Sequence, residues 1–189
     1  MVPAAGGAVR HSSSPRTSYE AALAALRHTT SFRFTERVDL TSPVTRKVES
    51  EVRFRAPNRI QMLVKTLAPP PLAALESVQV GRITCQQPPG TCYRGKAADP
   101  VRSARSLIQP QLPLTYRLAH DGGKTIMLLS ATRNGLRYFA RLTVGADGLP
   151  TTFASTITQN GAVIARQHGT FAYGEHFDIH LPPQAAKVR

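Results

Sequence analysis

Residues 114–173 read LTYRLAHDGGKTIMLLSATRNGLRYFARLTVGADGLPTTFASTITQNGAVIARQHGTFAY, and this stretch decides the fold. Four turn dipeptides punctuate it about every 13 residues: Asp121-Gly122, Asn134-Gly135, Asp147-Gly148 and Asn160-Gly161. Asn-Gly and Asp-Gly supply the positive φ angles that tight hairpin turns require. Between them lie strand-like segments at Leu114–His120, Lys124–Arg133, Leu136–Val144, Thr151–Gln159 and Ala162–Tyr173. Evenly spaced strands joined by such turns predict an antiparallel meander.

The same period of two runs upstream. Phe32, Phe34, Val38 and Leu40 share one face, while Arg33, Thr35, Arg37 and Asp39 share the other. After a turn at Ser42-Pro43, Val48, Ser50, Val52 and Phe54 alternate with Lys47, Glu49, Glu51, Arg53 and Arg55. One buried face and one wet face is the pattern of an antiparallel sheet open to water on one side. Ala56-Pro57-Asn58 turns the chain into a third strand at Ile60, Met62 and Val64. Pro69, Pro70 and Pro71 force a loop over 66–73, followed by short strands at Leu75–Val80 and Arg82–Gln86. A last strand is expected at Phe177–Leu181.

Two helices are expected. Thr17 to Glu20 reads as a capping box for a helix over Ser18–His28 that turns Tyr19, Leu23 and Leu26 to one side. Asp99-Pro100 reads as an N-cap followed by proline at the first helical position, for a helix to Ile108 stopped by Pro110 and Pro113. The fold class is therefore mainly β. About ten or eleven strands form a strongly curved antiparallel sheet or half-open β-barrel, and the two helices cover its concave face. Residues 1–17 are expected to be a tail or linker, 18–183 a single domain and 184–189 a C-terminal tail.

The formal net charge is +13, with 14 basic and 7 acidic residues up to residue 100 and 10 and 4 beyond it. The excess is spread along the chain rather than gathered in an arm. A basic balance suits anionic partners, and a GC-rich genome, which favours Arg over Lys, accounts for it equally well. Arg33, Arg37, Arg53, Arg55, Arg137 and Arg141 fall on strand faces away from the apolar side. Aromatic residues are not interleaved with them as a base-stacking platform requires, so nucleic acid is not expected as a partner. Cys85 and Cys92 flank a Pro-Pro-Gly turn in ITCQQPPGTCYR. The turn can bring the two Cβ atoms to disulfide distance, so a structural disulfide is expected, with two free thiols as the alternative, and the disulfide would place the domain in an oxidising compartment. Met1–Arg10 has no apolar core of signal-peptide length, so an exported form takes its signal or anchor from outside this chain.

The order of helix, FRAPNRIQM, VQVGRITC, LTVGADGLPTTF, GTFAY and a closing HLPP resembles the LolA-like lipoprotein carriers and the related mycobacterial lipoproteins LppX and LprG, over roughly residues 18 to 183. The resemblance implies an incomplete β-barrel with helices over an apolar cavity. It implies non-catalytic binding or carriage of a lipid or lipoprotein acyl chain outside the cytoplasm, in the periplasm or cell envelope. A related domain in RseB-like regulators implies the alternative: a sensor that binds a protein partner, membrane-anchored, in envelope signalling. The sequence departs from its relatives in lacking a lipobox cysteine near its start and in carrying the pair Cys85 and Cys92.

No catalytic motif such as GxSxG or HExxH is present, and no acid–base or nucleophile–base pair stands out, so neither an enzyme nor a cofactor is expected. His176 and His180 read as a surface pair rather than a metal site, and Asp121 and Asp147 as turn residues. The candidate lining of an apolar cavity is Leu23, Leu26, Phe32, Phe34, Val52, Phe54, Met62, Leu107, Tyr138, Leu142, Phe153 and Ile157. The competing reading is that these are ordinary core residues. The outer arginines are expected to meet an anionic membrane surface.

Overall fold

The computed structural model describes residues 14–67, 72, 74–108 and 112–188. Its frame is one open, eleven-stranded antiparallel sheet. The strands are β1 (Ser31–Leu40), β2 (Arg46–Arg55), β3 (Arg59–Thr66), β4 (Leu75–Val80), β5 (Ile83–Gln87), β6 (Thr91–Arg94), β7 (Thr115–Asp121), β8 (Lys124–Arg133), β9 (Leu136–Val144), β10 (Pro150–Gln159) and β11 (Ala162–Tyr173). Their order is β6-β5-β4-β3-β2-β1-β11-β10-β9-β8-β7, so two meanders fuse where the first strand pairs the last. Phe34 stands opposite Phe171 in that seam and opposite Val52 on β2. The sheet does not close into a barrel, because β6 and β7 remain edges.

The turns follow their residues. Asn134 and Gly135 have φ of 48° and 75°, and Asn160 and Gly161 have 49° and 86°, the left-handed pairs of a two-residue hairpin. The other two turns differ from expectation. Asp121 is the last strand residue, paired with Lys124, and Gly122-Gly123 makes the turn. Asp147 sits in a wider loop, where its carboxylate accepts from the Leu149 N–H at 3.0 Å.

The first helix, α1, spans Pro15–Ala25 and runs on as a 3-10 turn at Leu26–His28. It starts earlier than the Thr17–Glu20 box implied. Ser14 is the N-cap, accepting from Thr17 N–H at 3.2 Å, and Pro15 lacks the N–H that a first turn leaves unpaired. Residues 14–17, expected to belong to a tail, are thus the cap and first turn of this helix, and residues 1–13 lie outside the described residues. The second helix, α2, spans Pro100–Ile108 with the expected cap: Asp99 accepts from Val101 N–H at 3.1 Å. Pro69, Pro70, Pro71, Pro110 and Arg189 lie outside the described residues.

The C-terminal segment corrects two expectations. Phe177–Leu181 does not form a strand. Phe177 and Ile179 are buried on the outer face against Val78, while His176, Asp178 and His180 are exposed. Side chains rather than a neighbouring strand hold the backbone: Arg55 donates to the Phe177 carbonyl at 3.0 Å and Arg59 to that of Ile179 at 3.1 Å. Residues 184–188 are not a loose tail either. Pro183–Lys187 form a 3-10 turn against β5 and β6, with Ala185 buried.

Cys85 and Cys92 face each other across β5 and β6 and are disulfide-bonded. With a sequence separation of 7, the chain-entropy relation gives a stabilisation of about 2.5 kcal/mol. Replacing both by serine is expected to lower the urea unfolding free energy by about that amount, and alkylation of the unreduced protein is expected to add no mass. Rapid labelling of both thiols without reductant contradicts the pairing.

Candidate functional site

The chain leaves β6 at one edge and must enter β7 at the other, and the connection carries α2 across the inner face of the sheet. There α2 packs on α1 and β2, and α1 packs on β7, with Tyr19 and Tyr116 rings 5.4 Å apart. Beneath the helices lies the main core. Leu23, Leu26, Phe32, Phe34, Val52, Phe54, Tyr138, Leu142 and Phe153 are buried in it, and Met62, Leu107 and Ile157 pack partly buried against it. All the candidate lining residues thus come together, and they pack on one another. Phe34 and Phe171 rings lie 4.4 Å apart, and Phe32 and Phe54 5.4 Å apart. A Cβ at Gly169 would stand 2.5 Å from the Phe34 ring, so only glycine lets that ring lie flat on β11.

The open space lies to the side. A cleft of about 470 Å³ has Val52, Ile60 and Met62 as an apolar floor, with Ser77, Gln79, Thr84 and Tyr93 of β4–β6 along one wall. Lys96 and, from α2, Arg102, Ser103 and Ser106 close it. Only Val52 and Met62 belong to the candidate lining. Apolar periodicity does not point to the rest, which apart from Ile60 are mostly polar or charged. On β4 the alternation inverts: Ser77 and Gln79 are in register with the inner residues Met62 and Ile60, and Val78 faces outward. That polar inward register was the available signal. A second groove, of about 770 Å³, runs beside α1 along Ala21, Ala22, Ala25, Leu118, Met127 and Val144.

Polar contacts fix α2 over the core. Tyr138 donates its hydroxyl to the Ile108 carbonyl at 2.6 Å, and Gln167 donates to the Leu107 carbonyl at 2.9 Å, satisfying acceptors that a helix end leaves open. At the other end Arg27 donates to both Asp99 oxygens, at 3.1 and 2.8 Å. Burial opposes the Asp99 charge, but Arg27 and the Val101 N–H outweigh it and hold its carboxyl below the usual range. Arg105 pairs with Glu20 of α1. These half-exposed pairs set position more than stability. Burial pushes the Tyr138 hydroxyl well above its ordinary pKa, so it stays a donor. Among the described residues no three His, Cys, Asp or Glu side chains cluster as metal ligands.

Gln167 also donates to Glu36, a buried carboxyl on β1, and accepts from Ser155 at 3.0 Å. Burial raises the Glu36 pKa, and the hydrogen bonds from Gln167 and Ser50 only partly offset it. A raised folded pKa means that the native state holds its proton to higher pH than the unfolded chain. Glu36 therefore subtracts stability as pH climbs from the unfolded pKa through the folded one. Glu36→Gln is expected to gain melting temperature relative to the parent protein as pH rises above the unfolded carboxyl pKa of about 4.3. A difference that does not change with pH contradicts this.

No family model matches the chain, and no curated protein matches it by sequence. Solved structures do match. A crystal structure of MucB is 19% identical with a TM-score of 0.48, covering 92% of this chain and 65% of that one. The MucA/MucB complex of Pseudomonas aeruginosa is 19% identical with a TM-score of 0.48, covering 88% and 59%. A LolA superfamily protein from Nitrosomonas europaea is 7% identical with a TM-score of 0.37, covering 88% and 96%. The chain spans less than two thirds of the length of those MucB chains.

Proposed function

We propose that the protein binds an acyl chain of a lipid or lipoprotein, without catalysis and outside the cytoplasm, in the cleft between α2 and the inner face of β2–β6. The observation that carries this reading is the cleft of about 470 Å³ with Val52, Ile60 and Met62 on its floor. Its volume lies within the range of small-molecule sites, and its apolar floor faces a mostly polar wall and rim. Each buried methylene contributes about 0.8 kcal/mol, so a modest length of chain suffices for binding. The disulfide of β5–β6 favours an oxidising compartment.

A second reading, a sensor that binds a protein partner, draws on the groove beside α1. Its small side chains at Ala21, Ala22 and Ala25 leave room for a segment from another chain. MucB, which this chain resembles in backbone course, has been crystallised with MucA.

The test fills the cleft rather than emptying the core. Met62→Glu places a charge on the floor, and Ser103→Trp fills the space from α2. Both are expected to weaken binding of a fluorescent fatty acid at least tenfold, with circular dichroism and melting temperature retained. Lipid is expected in an organic extract of the purified protein. Unchanged binding in both folded variants removes the cleft as the site.

A further inference from the structure

The outer face of the sheet has two halves, and its arginines have two fates. Over β1–β3 they are employed. Arg33 pairs with Glu175 at 2.8 Å, Arg53 stacks over Phe177 with its guanidinium carbon 5.7 Å from the ring centre, and Arg55 and Arg59 hold the Phe177 and Ile179 carbonyls. The C-terminal segment uses these charges and covers that half. Over β7–β10 Arg117, Arg137 and Arg141 are exposed, and none makes an ion pair or side-chain hydrogen bond among the described residues. Between residues 112 and 173 the only carboxylates are Asp121 and Asp147, at the turns.

Phe139 stands between Arg137 and Arg141 on the same face of β9, 52% exposed, with Ser130 and Thr156 as its cross-strand neighbours. The other exposed large apolar side chains of the described residues lie in loops, at the start of β4 or on the edge strand β6. Phe139 lies in the middle of an interior strand, where a polar residue would suit an exposed position. Arg117 and Arg141 flank Leu128 in one cross-strand row, about 10 Å apart across two strand spacings.

We propose that this half of the outer face docks on an anionic lipid membrane, with Arg117, Arg137 and Arg141 at the headgroups and Phe139 inserted between them. Aromatic side chains settle at the headgroup level of a bilayer, and each cation near an anionic surface strengthens binding about fivefold. A nucleic acid would want successive aromatic platforms, and this face offers one ring. The cleft opens on the opposite face of the sheet, so membrane docking stands or falls apart from the acyl-chain reading.

The experiment is co-sedimentation of the whole chain with vesicles of phosphatidylcholine and phosphatidylglycerol at 7:3, against pure phosphatidylcholine. Binding to the anionic vesicles alone is expected, and it is expected to be lost at 0.5 M salt. Arg137→Glu/Arg141→Glu is expected to weaken it by more than about tenfold, and Phe139→Ser by several-fold. Arg46→Glu/Lys187→Glu, which removes the same charge from exposed sites elsewhere, is expected to leave it within about twofold. Equal losses in the two double variants show attraction by net charge alone and overturn the proposal. No vesicle binding overturns it as well. If the face binds polyglutamate in preference to vesicles, it belongs to an acidic protein and the membrane assignment fails.

Discussion

The pairing of the first strand with the last is the constraint on which the rest of this structure depends. Each meander alone is a local object, built hairpin by hairpin. Residue-for-residue register between β1 and β11, from Phe32 opposite Tyr173 to Leu40 opposite Ala165, fuses them into one sheet. That fusion sends β6 and β7 to opposite edges. The connection between them must then cross the whole inner face, and α2 with its flanks is the part of the chain that does so. At Gly169 the seam admits no side chain, because the Phe34 ring occupies the volume one would need.

Once α2 is obliged to cross, its resting place follows from who can bond its ends. Its C-terminal carbonyls are reached by Tyr138 from β9 and Gln167 from β11, and its start is tied through Asp99 to Arg27. The helix sits over the aromatic core and not over the β4–β6 arm. Burial of Val101, Ala104 and Ile108 secures that choice. Leu107, which packs partly buried, adds to it. What remains of the inner face, between Met62 and Tyr93, is bordered by Arg102, Ser103 and Ser106 of α2 but not filled by the helix, and it stays open as the cleft.

Much of this was legible in the sequence. The Asn-Gly turns, the alternation of β1 and β2 and the Asp99-Pro100 cap depend on local geometry, and local geometry is what residue types encode. The residues expected to line a cavity gather in and against one core, but periodicity reports only that a side chain leaves water. It does not say whether another side chain or a ligand replaces the water. Phe34, Leu142 and Phe153 meet other side chains; Met62 borders open space. The same blindness explains the C-terminal segment. Phe177 and Ile179 alternate like a strand because one side is buried, and nothing in the alternation reveals that arginine side chains, not a strand, bond the backbone.

The inverted register of β4 ties the two faces together. With Val78 turned outward, the outer face of the β4–β5 arm needs an apolar cover, which Phe177 and Ile179 provide. With Ser77 and Gln79 turned inward, the inner face there cannot join the dry core without leaving polar groups unpaired, a cost of about 1–3 kcal/mol for each. Gln79 instead bonds the Lys96 carbonyl at 2.7 Å and stays at the rim of a cleft that water can reach. An apolar ligand entering that cleft would therefore lie against Val52, Ile60 and Met62 while the hydrogen-bonding groups of the opposite wall remained near solvent. A single shift in which side of one strand is greasy thus accounts for both the covered outer arm and the uncovered inner one. The cleft is a consequence of sequence pattern and not a defect of packing.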